Sequence, residues 1–210
     1  MNFFNLHTHS PQPDSLLNCY PQEDEPETNF SVGFHPLFLE TQKIELFWDN
    51  FILKTQNPFC KAIGECGLDR RSKTDFQTQF SIFQKQIAIA ESQNKPLIIH
   101  CVQSFDVLIP IIKKTKQNII IHAFNQNESI HHQLLKIDTV YFSFGKALML
   151  ENSNAIAQIQ ITPLEKLFLE TDDSQFEIEE IYHKAAKLLR VSLDKLQTQI
   201  LNNRKLILGI

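Results

Sequence analysis

Short apolar runs rich in β-branched and aromatic residues recur along the chain at residues 3–6, 29–34, 59–63, 97–100, 118–122, 140–144 and 167–169. Each run is continuous, not alternating, and is bounded by turns or helical patterns, so seven buried parallel strands are predicted. Between them, Phe76, Phe80, Phe83 and Ile87 recur at spacings of four, three and four within residues 75–94. That spacing predicts one face of a long helix packed on the sheet, with Gln and Lys on the other face. Residues 104–117 and 127–136 read as further helices, with Pro110 expected to kink the first. Thr162-Pro163-Leu164-Glu165 offers an N-cap, an N1 proline and an acidic N3 residue, which predicts a helical turn ahead of the last strand. Residues 176–190 and 193–203 read as two closing helices. Residues 10–29, with Glu23, Asp24, Glu25 and Glu27 around Pro21 and Pro26, read as an acidic loop.

Alternating strands and helices over 210 residues predict an α/β chain folded as a single domain, residues 1–210. An open doubly wound sheet gathers its chemistry at one switch point, whereas a ring of strands gathers it from nearly every strand end. Polar residues at almost every strand end favour the ring. With seven strands, the expectation is a TIM-barrel-like fold that is incomplete and lacks one β/α unit.

Composition narrows the function classes. No apolar run approaches a membrane span and no signal-like core opens the chain, so a soluble cytoplasmic protein with no membrane partner is expected. The four cysteines show no C-x-x-C spacing and lie largely in strand-like runs, which predicts reduced thiols. A formal net charge of -4 supplies no global basic field, which argues against a protein that reads nucleic-acid sequence tightly. An enzyme that meets phosphate only at a metal site remains compatible, because the ions then carry the positive charge. No Gly-rich phosphate loop, G-x-S-x-G elbow or zinc-finger spacing is present.

Candidate ligands sit at or beside the strand runs. His7 and His9 in NLHTHS share one strand face, since the side-chain period is two, and two neutral imidazoles so placed suit a borderline divalent metal. Glu65, in KAIGECGLD, is read as ending a strand between glycines that permit close approach, and its two oxygens could bridge two cations. His100 and His122 follow apolar runs at the ends of consecutive strands, and Asp172 follows LFLET. A carboxylate at position 172 can hold a metal and take a proton from water. His35, in VGFHP, is a candidate for substrate or leaving-group contact. Asp69 and Arg70 complete the list on the substrate side. Cys66 and Cys101 adjoin proposed ligands but suit packing better than attack.

These segments together resemble the TatD family of metal-dependent deoxyribonucleases, within the amidohydrolase-like TIM-barrel group. The matching pieces are His-Thr-His at 7–9, Val-Gly-Phe-His-Pro at 32–36, Ala-Ile-Gly-Glu-Cys-Gly-Leu-Asp at 62–69, Pro-Leu-Ile-Ile-His at 96–100, Ile-Ile-His-Ala-Phe at 120–124, Phe-Ser-Phe-Gly at 142–145 and Leu-Glu-Thr-Asp at 169–172. The resemblance implies two divalent cations, Mg²⁺, Zn²⁺ or Mn²⁺. His7, His9, Glu65 and Asp172 would hold one, and the shared Glu65 with His100 and His122 the other. It also implies phosphodiester cleavage in DNA or an oligonucleotide, commonly 3′ to 5′, with Asp172 and Glu65 as the catalytic carboxylates. The chain departs from the pattern in three places. Only 25 residues separate His9 from His35, Val102 stands where the family commonly has arginine, and Asp173-Ser174 stands where Ala-Pro is usual.

The leading expectation is therefore a two-metal phosphodiesterase. Two alternatives stay open at the level of sequence: a metal-dependent hydrolase of a small amide, lactone or phosphoester, and a weak or inactive metal-binding scaffold. Monomer and homodimer are equally compatible with the sequence.

Overall fold

The computed structural model describes residues 3–210. Among them are eight strands: β1 (Asn5–Thr8), β2 (Ser15–Cys19), β3 (Phe30–Val32), β4 (Cys60–Asp69), β5 (Leu97–Val102), β6 (Ile119–Ile121), β7 (Val140–Phe144) and β8 (Leu167–Leu169). Seven α-helices accompany them: α1 (Ile44–Gln56), α2 (Phe76–Gln93), α3 (Phe105–Ile112), α4 (Glu128–Leu135), α5 (Asn154–Ile161), α6 (Ile178–Leu189) and α7 (Leu193–Leu208). The strands lie in one sheet in chain order, and the β1–β2, β3–β4, β4–β5 and β7–β8 pairs are parallel. The segment leaving β8 bonds back to β1, with the Asp172 amide donating to the His7 carbonyl at 2.9 Å and a parallel bridge between Thr8 and Asp172. The sheet is thus a nearly closed, TIM-barrel-like parallel barrel.

This corrects the expectation of an incomplete seven-stranded barrel. The additional strand, β2, lies inside the stretch that reads as an acidic loop. A parallel connection usually takes a dozen or more residues and a helix. Here β1 has only four residues, spanning roughly 13 Å, and the six residues between it and β2 can return that distance when extended. What is missing relative to a full set of β/α units is helix. No helix follows β1 or β2 among the described residues.

The described residues cluster into two compact units, 3–17 with Ile121–Ile210, and Asn18–Ile120. In the first, Phe4, Phe142, Phe144, Phe168 and Tyr182 are fully buried, and α6 and α7 pack on β8. The Tyr182 hydroxyl donates to the Phe4 carbonyl at 2.9 Å, so the one polar atom on that large ring is satisfied.

In the second unit α1 and α2 pack on β4. Asp75 caps α2 by accepting from the Thr78 amide, and Asn94 ends it in the left-handed conformation. The buried face of α2 is rotated from the predicted one: Phe83 and Ile87 are inside, but Phe76 and Phe80 are only half-buried, and Gln79 and Gln86 are inside as well. The glutamines are inside because the sheet offers them backbone partners. Gln86 accepts from the Phe34 amide at 2.8 Å and donates to its carbonyl at 3.1 Å, while Gln79 accepts from the Asp69 amide at 2.9 Å.

Helix α1 has no counterpart in the elements predicted from sequence. Leu46 and Leu53, 66% and 64% exposed, put apolar residues on its outer face and blunt the contrast a periodicity argument needs. Its inner face carries Lys54, whose ammonium donates to Cys19 Sγ at 3.5 Å, to the Tyr20 carbonyl at 3.1 Å and to the Glu23 carbonyl, and so ties down the acidic segment after β2. Pro110 lies within α3 near its end, and that helix closes at Ile112, short of the predicted 117. A helical turn, Leu164–Lys166, leads into β8 as predicted, but Pro163 and not Thr162 stands at its N-cap. All four cysteines are free and buried, and burial pushes the Cys60 thiol up to about 11 and Cys101 to about 12.

Candidate metal centre

In the first unit, His7 lies within β1 and is fully buried, because the strand begins two residues later than the apolar run suggests. Asn5 fixes its surroundings: its amide group donates to Thr171 Oγ1 at 2.7 Å and its side-chain carbonyl oxygen accepts from the Thr171 amide at 3.0 Å. Asp172 follows in the left-handed region, φ 55°. Its Oδ1 lies 3.3 Å from His9 Nε2 and 3.8 Å from His7 Nε2, and the two imidazole planes are perpendicular with centroids 5.2 Å apart. His7, His9 and Asp172 bring one donor atom each within 4.8 Å of one another.

His122, just past β6, has its ring centroid 4.9 Å from that of His7 and its Nδ1 3.4 Å from Glu170 Oε1. Glu170 is fully buried and accepts from the Ala123 amide at 2.7 Å. Lys146 Nζ stands 3.8 Å from Asp172 Oδ2 and is ion-paired with Asp173. Partial burial works against its charge, but the bond to Asp173 and the nearby Asp172 outweigh this and hold its pKa above the usual lysine range.

In the second unit, Glu65 does not end its strand. β4 runs on to Asp69, and its pairing with β5 shifts register between Ile63 and Cys66, around the glutamate. Gly64 and Gly67 make this possible. Both have φ near +145°, and a Cβ would lie 2.4 Å from the Ile98 carbonyl oxygen at Gly64 and 2.0 Å from the His100 carbonyl oxygen at Gly67.

The Glu65 amide donates to Asn18 Oδ1 at 3.0 Å, and its Oε1 lies 2.7 Å from His35 Nε2 and 2.9 Å from His100 Nδ1. His35 Nδ1 accepts from the Leu37 amide at 3.1 Å, so the neutral ring carries its proton on Nε2, facing Glu65. This makes His35 a donor to the carboxylate and not a further nitrogen for a metal. His100 Nε2 lies 2.8 Å from Asp69 Oδ2, and Arg71 grips the same carboxylate through two of its nitrogens. Burial would raise the Asp69 pKa, but the bonds from His100 and Arg71 overcome it and hold the carboxyl well below its usual range. Arg70, in contrast, forks onto Asp106 and lies over the Phe76 ring.

The donor sets fit divalent cations. Two imidazoles and a carboxylate suit Zn²⁺ and similar ions, and an imidazole that gives its second N–H to a carboxylate, as His100 does to Asp69, is the usual support of a histidine ligand. His7, His9 and Asp172 bring three ligand residues together in the first unit, and Glu65 and His100 bring two together in the second, with His35 drawn in beside them as a donor to Glu65. Four contributors lie outside the candidates that the sequence singles out. Asn18 sits in the unpredicted β2, Glu170 is overshadowed in sequence by its neighbour Asp172, and Lys146 and Arg71 carry no motif.

The chain is similar to known proteins over most of its length. It shares 31% identity over 177 residues with the human 3'-5' RNA nuclease TATDN2, covering 78% of this chain and 23% of that protein. It shares 27% identity over 148 residues with the uncharacterized metal-dependent hydrolase YabD of Bacillus subtilis, covering 68% and 57%. The chain therefore spans less than two thirds of either relative. The crystal structure of YJJV, a TatD homologue from Escherichia coli K12, has the same fold, with a TM-score of 0.83 at 17% identity over 99% of this chain and 97% of that one. The family model for TatD related DNase matches residues 6–209, and the chain belongs to that family.

Proposed function

We propose that this protein is a metal-dependent phosphodiesterase that trims single-stranded nucleic acid, DNA in the first instance, from the 3′ end. The observation that carries the reading is the gathering of carboxylate and imidazole donors at and beyond the ends of parallel strands, one set in each unit. The family's description as DNases and the RNA nuclease name of TATDN2 support a nucleic-acid substrate.

His7, His9, Glu65, His100, His122 and Asp172 are proposed as ligands, in the roles implied by the resemblance. Bound divalent cations would supply an acidic water and neutralise charge growing on phosphate oxygens. Asp172, 3.3 Å from His9 and held by backbone bonds to β1, would orient a water there and take up its proton. Lys146, kept protonated and anchored by Asp173, supplies a fixed positive charge beside Asp172 for a phosphate oxygen. His35 holds the Glu65 carboxylate in one rotamer through its Nε2 proton.

The test is a panel of Mg²⁺, Mn²⁺ and Zn²⁺ assayed on end-labelled single-stranded DNA and RNA. Stepwise loss of 3′ nucleotides that needs added metal is expected. Turnover of small phosphoesters or amides with no turnover of either nucleic acid would replace this reading with a small-substrate hydrolase.

A further inference from the structure

An aromatic ring stands exposed beside the second unit's cluster. Phe38, three residues past His35, is 44% exposed, and its ring centroid lies 4.9 Å from that of His35 at 33°. Tyr20 approaches Phe38 edge-on at 6.0 Å, and His35 in turn lies 4.4 Å from His100. Tyr20, Phe38, His35 and His100 therefore form a continuous series of rings running into the donors around Glu65.

The turn that presents Phe38 is held from both sides. Its amide donates to the His35 carbonyl at 3.0 Å, and its own carbonyl accepts from the Thr41 hydroxyl and from the Thr41 and Gln42 amides. Gln42, buried, accepts through its side-chain oxygen from the His35 amide at 3.0 Å. A turn fixed in this way presents its ring to a flat ligand with little loss of backbone freedom.

The charges nearby point to a flat ligand rather than to a second phosphate. In this unit Arg71 is committed to Asp69 and Arg70 to Asp106, and Val102, two residues past His100, is apolar. Among the described residues of this unit no guanidinium is left to grip a second phosphate beside the one a cation at Glu65 and His100 would hold. A nucleobase offers a π-face, and stacking on an aromatic side chain tightens binding roughly 5- to 150-fold per base.

We propose that Phe38 is the stacking platform for the nucleobase of a nucleotide whose phosphate lies at the Glu65–His100 cluster. The inference rests on the nuclease reading for its substrate class, but binding tests it without turnover. The affinity of dAMP and of deoxyribose 5-phosphate would be measured by calorimetry, in Mn²⁺, for the wild type, Phe38→Leu and Phe38→Trp. The leucine keeps apolar bulk and removes the ring, and thermal melts check folding.

The wild type should bind dAMP about tenfold tighter than the sugar phosphate. Phe38→Leu should erase that preference while leaving the sugar phosphate affinity unchanged, and Phe38→Trp should keep it. A wild type without preference, or a Phe38→Leu variant that retains it, overturns the proposal. A retained base preference in a protein that cleaves no nucleic acid would refute the nuclease reading and leave the stacking site standing.

Discussion

His100 Nε2 lies 2.8 Å from Asp69 Oδ2, while the other ring nitrogen faces Glu65 at 2.9 Å. The bond to Asp69 orients the imidazole and fixes which nitrogen is available to a cation. Replacement of a carboxylate in this supporting position typically weakens metal binding about 10- to 100-fold. Asp69→Asn should weaken Mn²⁺ binding by about that factor in a calorimetric titration, and an unchanged affinity would remove Asp69 from the site.

The same substitution carries a pH signature. The folded-state pKa of Asp69 lies below its ordinary value, so its contribution to stability is present above about pH 4. That contribution falls away as pH drops through the lower folded value. The difference in denaturant stability between wild type and Asp69→Asn should be full at about pH 7 and shrink below about pH 4. A difference that grows on acidification would contradict the assigned charge state.

Asn18 holds the backbone of Glu65 from β2. In Asn18→Ala the buried Glu65 amide loses its acceptor, at a cost of about 1–3 kcal/mol. A fall in stability together with weaker metal binding is expected from chemical denaturation and calorimetry. A fall in stability alone would mean that Asn18 supports the strand and not the ligand.

Gly67 tests the bulged path of β4. Its φ of +143°, and the 2.0 Å that would separate an added Cβ from the His100 carbonyl oxygen, make alanine unfavourable on two counts. Backbone strain and overpacking each cost about 1–3 kcal/mol, so Gly67→Ala should lose about 3 kcal/mol or fail to accumulate as folded protein. Wild-type stability in this variant would show that β4 does not pass as close to β5 as described.

Much of the candidate site is legible in the sequence because candidate ligands leave a local trace. A His-x-His pair, and imidazole or carboxylate closing an apolar run, can be read without knowing the fold. Glu65 stands out in this way, but its bulge, carried by Gly64 and Gly67, looks like a turn in sequence and so suggests a strand end. Strand β2 escapes detection because its apolar signal is only Leu16, Leu17 and Cys19, and because a six-residue parallel return is rare. The supporting contacts are not legible at all. Asn18 to Glu65, Gln79 to Asp69 and Lys146 to Asp173 depend on the distance between separate segments, which periodicity does not carry.

The carboxylates among these donors are proposed to drive metal-dependent phosphodiester cleavage. The most direct measurement compares 3′ nucleotide release from end-labelled single-stranded DNA by the wild type and by a Glu65→Gln, Asp172→Asn double variant, in Mg²⁺ or Mn²⁺ and after chelation. Release by the wild type should stop on chelation, and it should fall by at least about 100-fold in the double variant at equal folding. Wild-type rates in that variant, with contaminating nuclease excluded, would contradict that role.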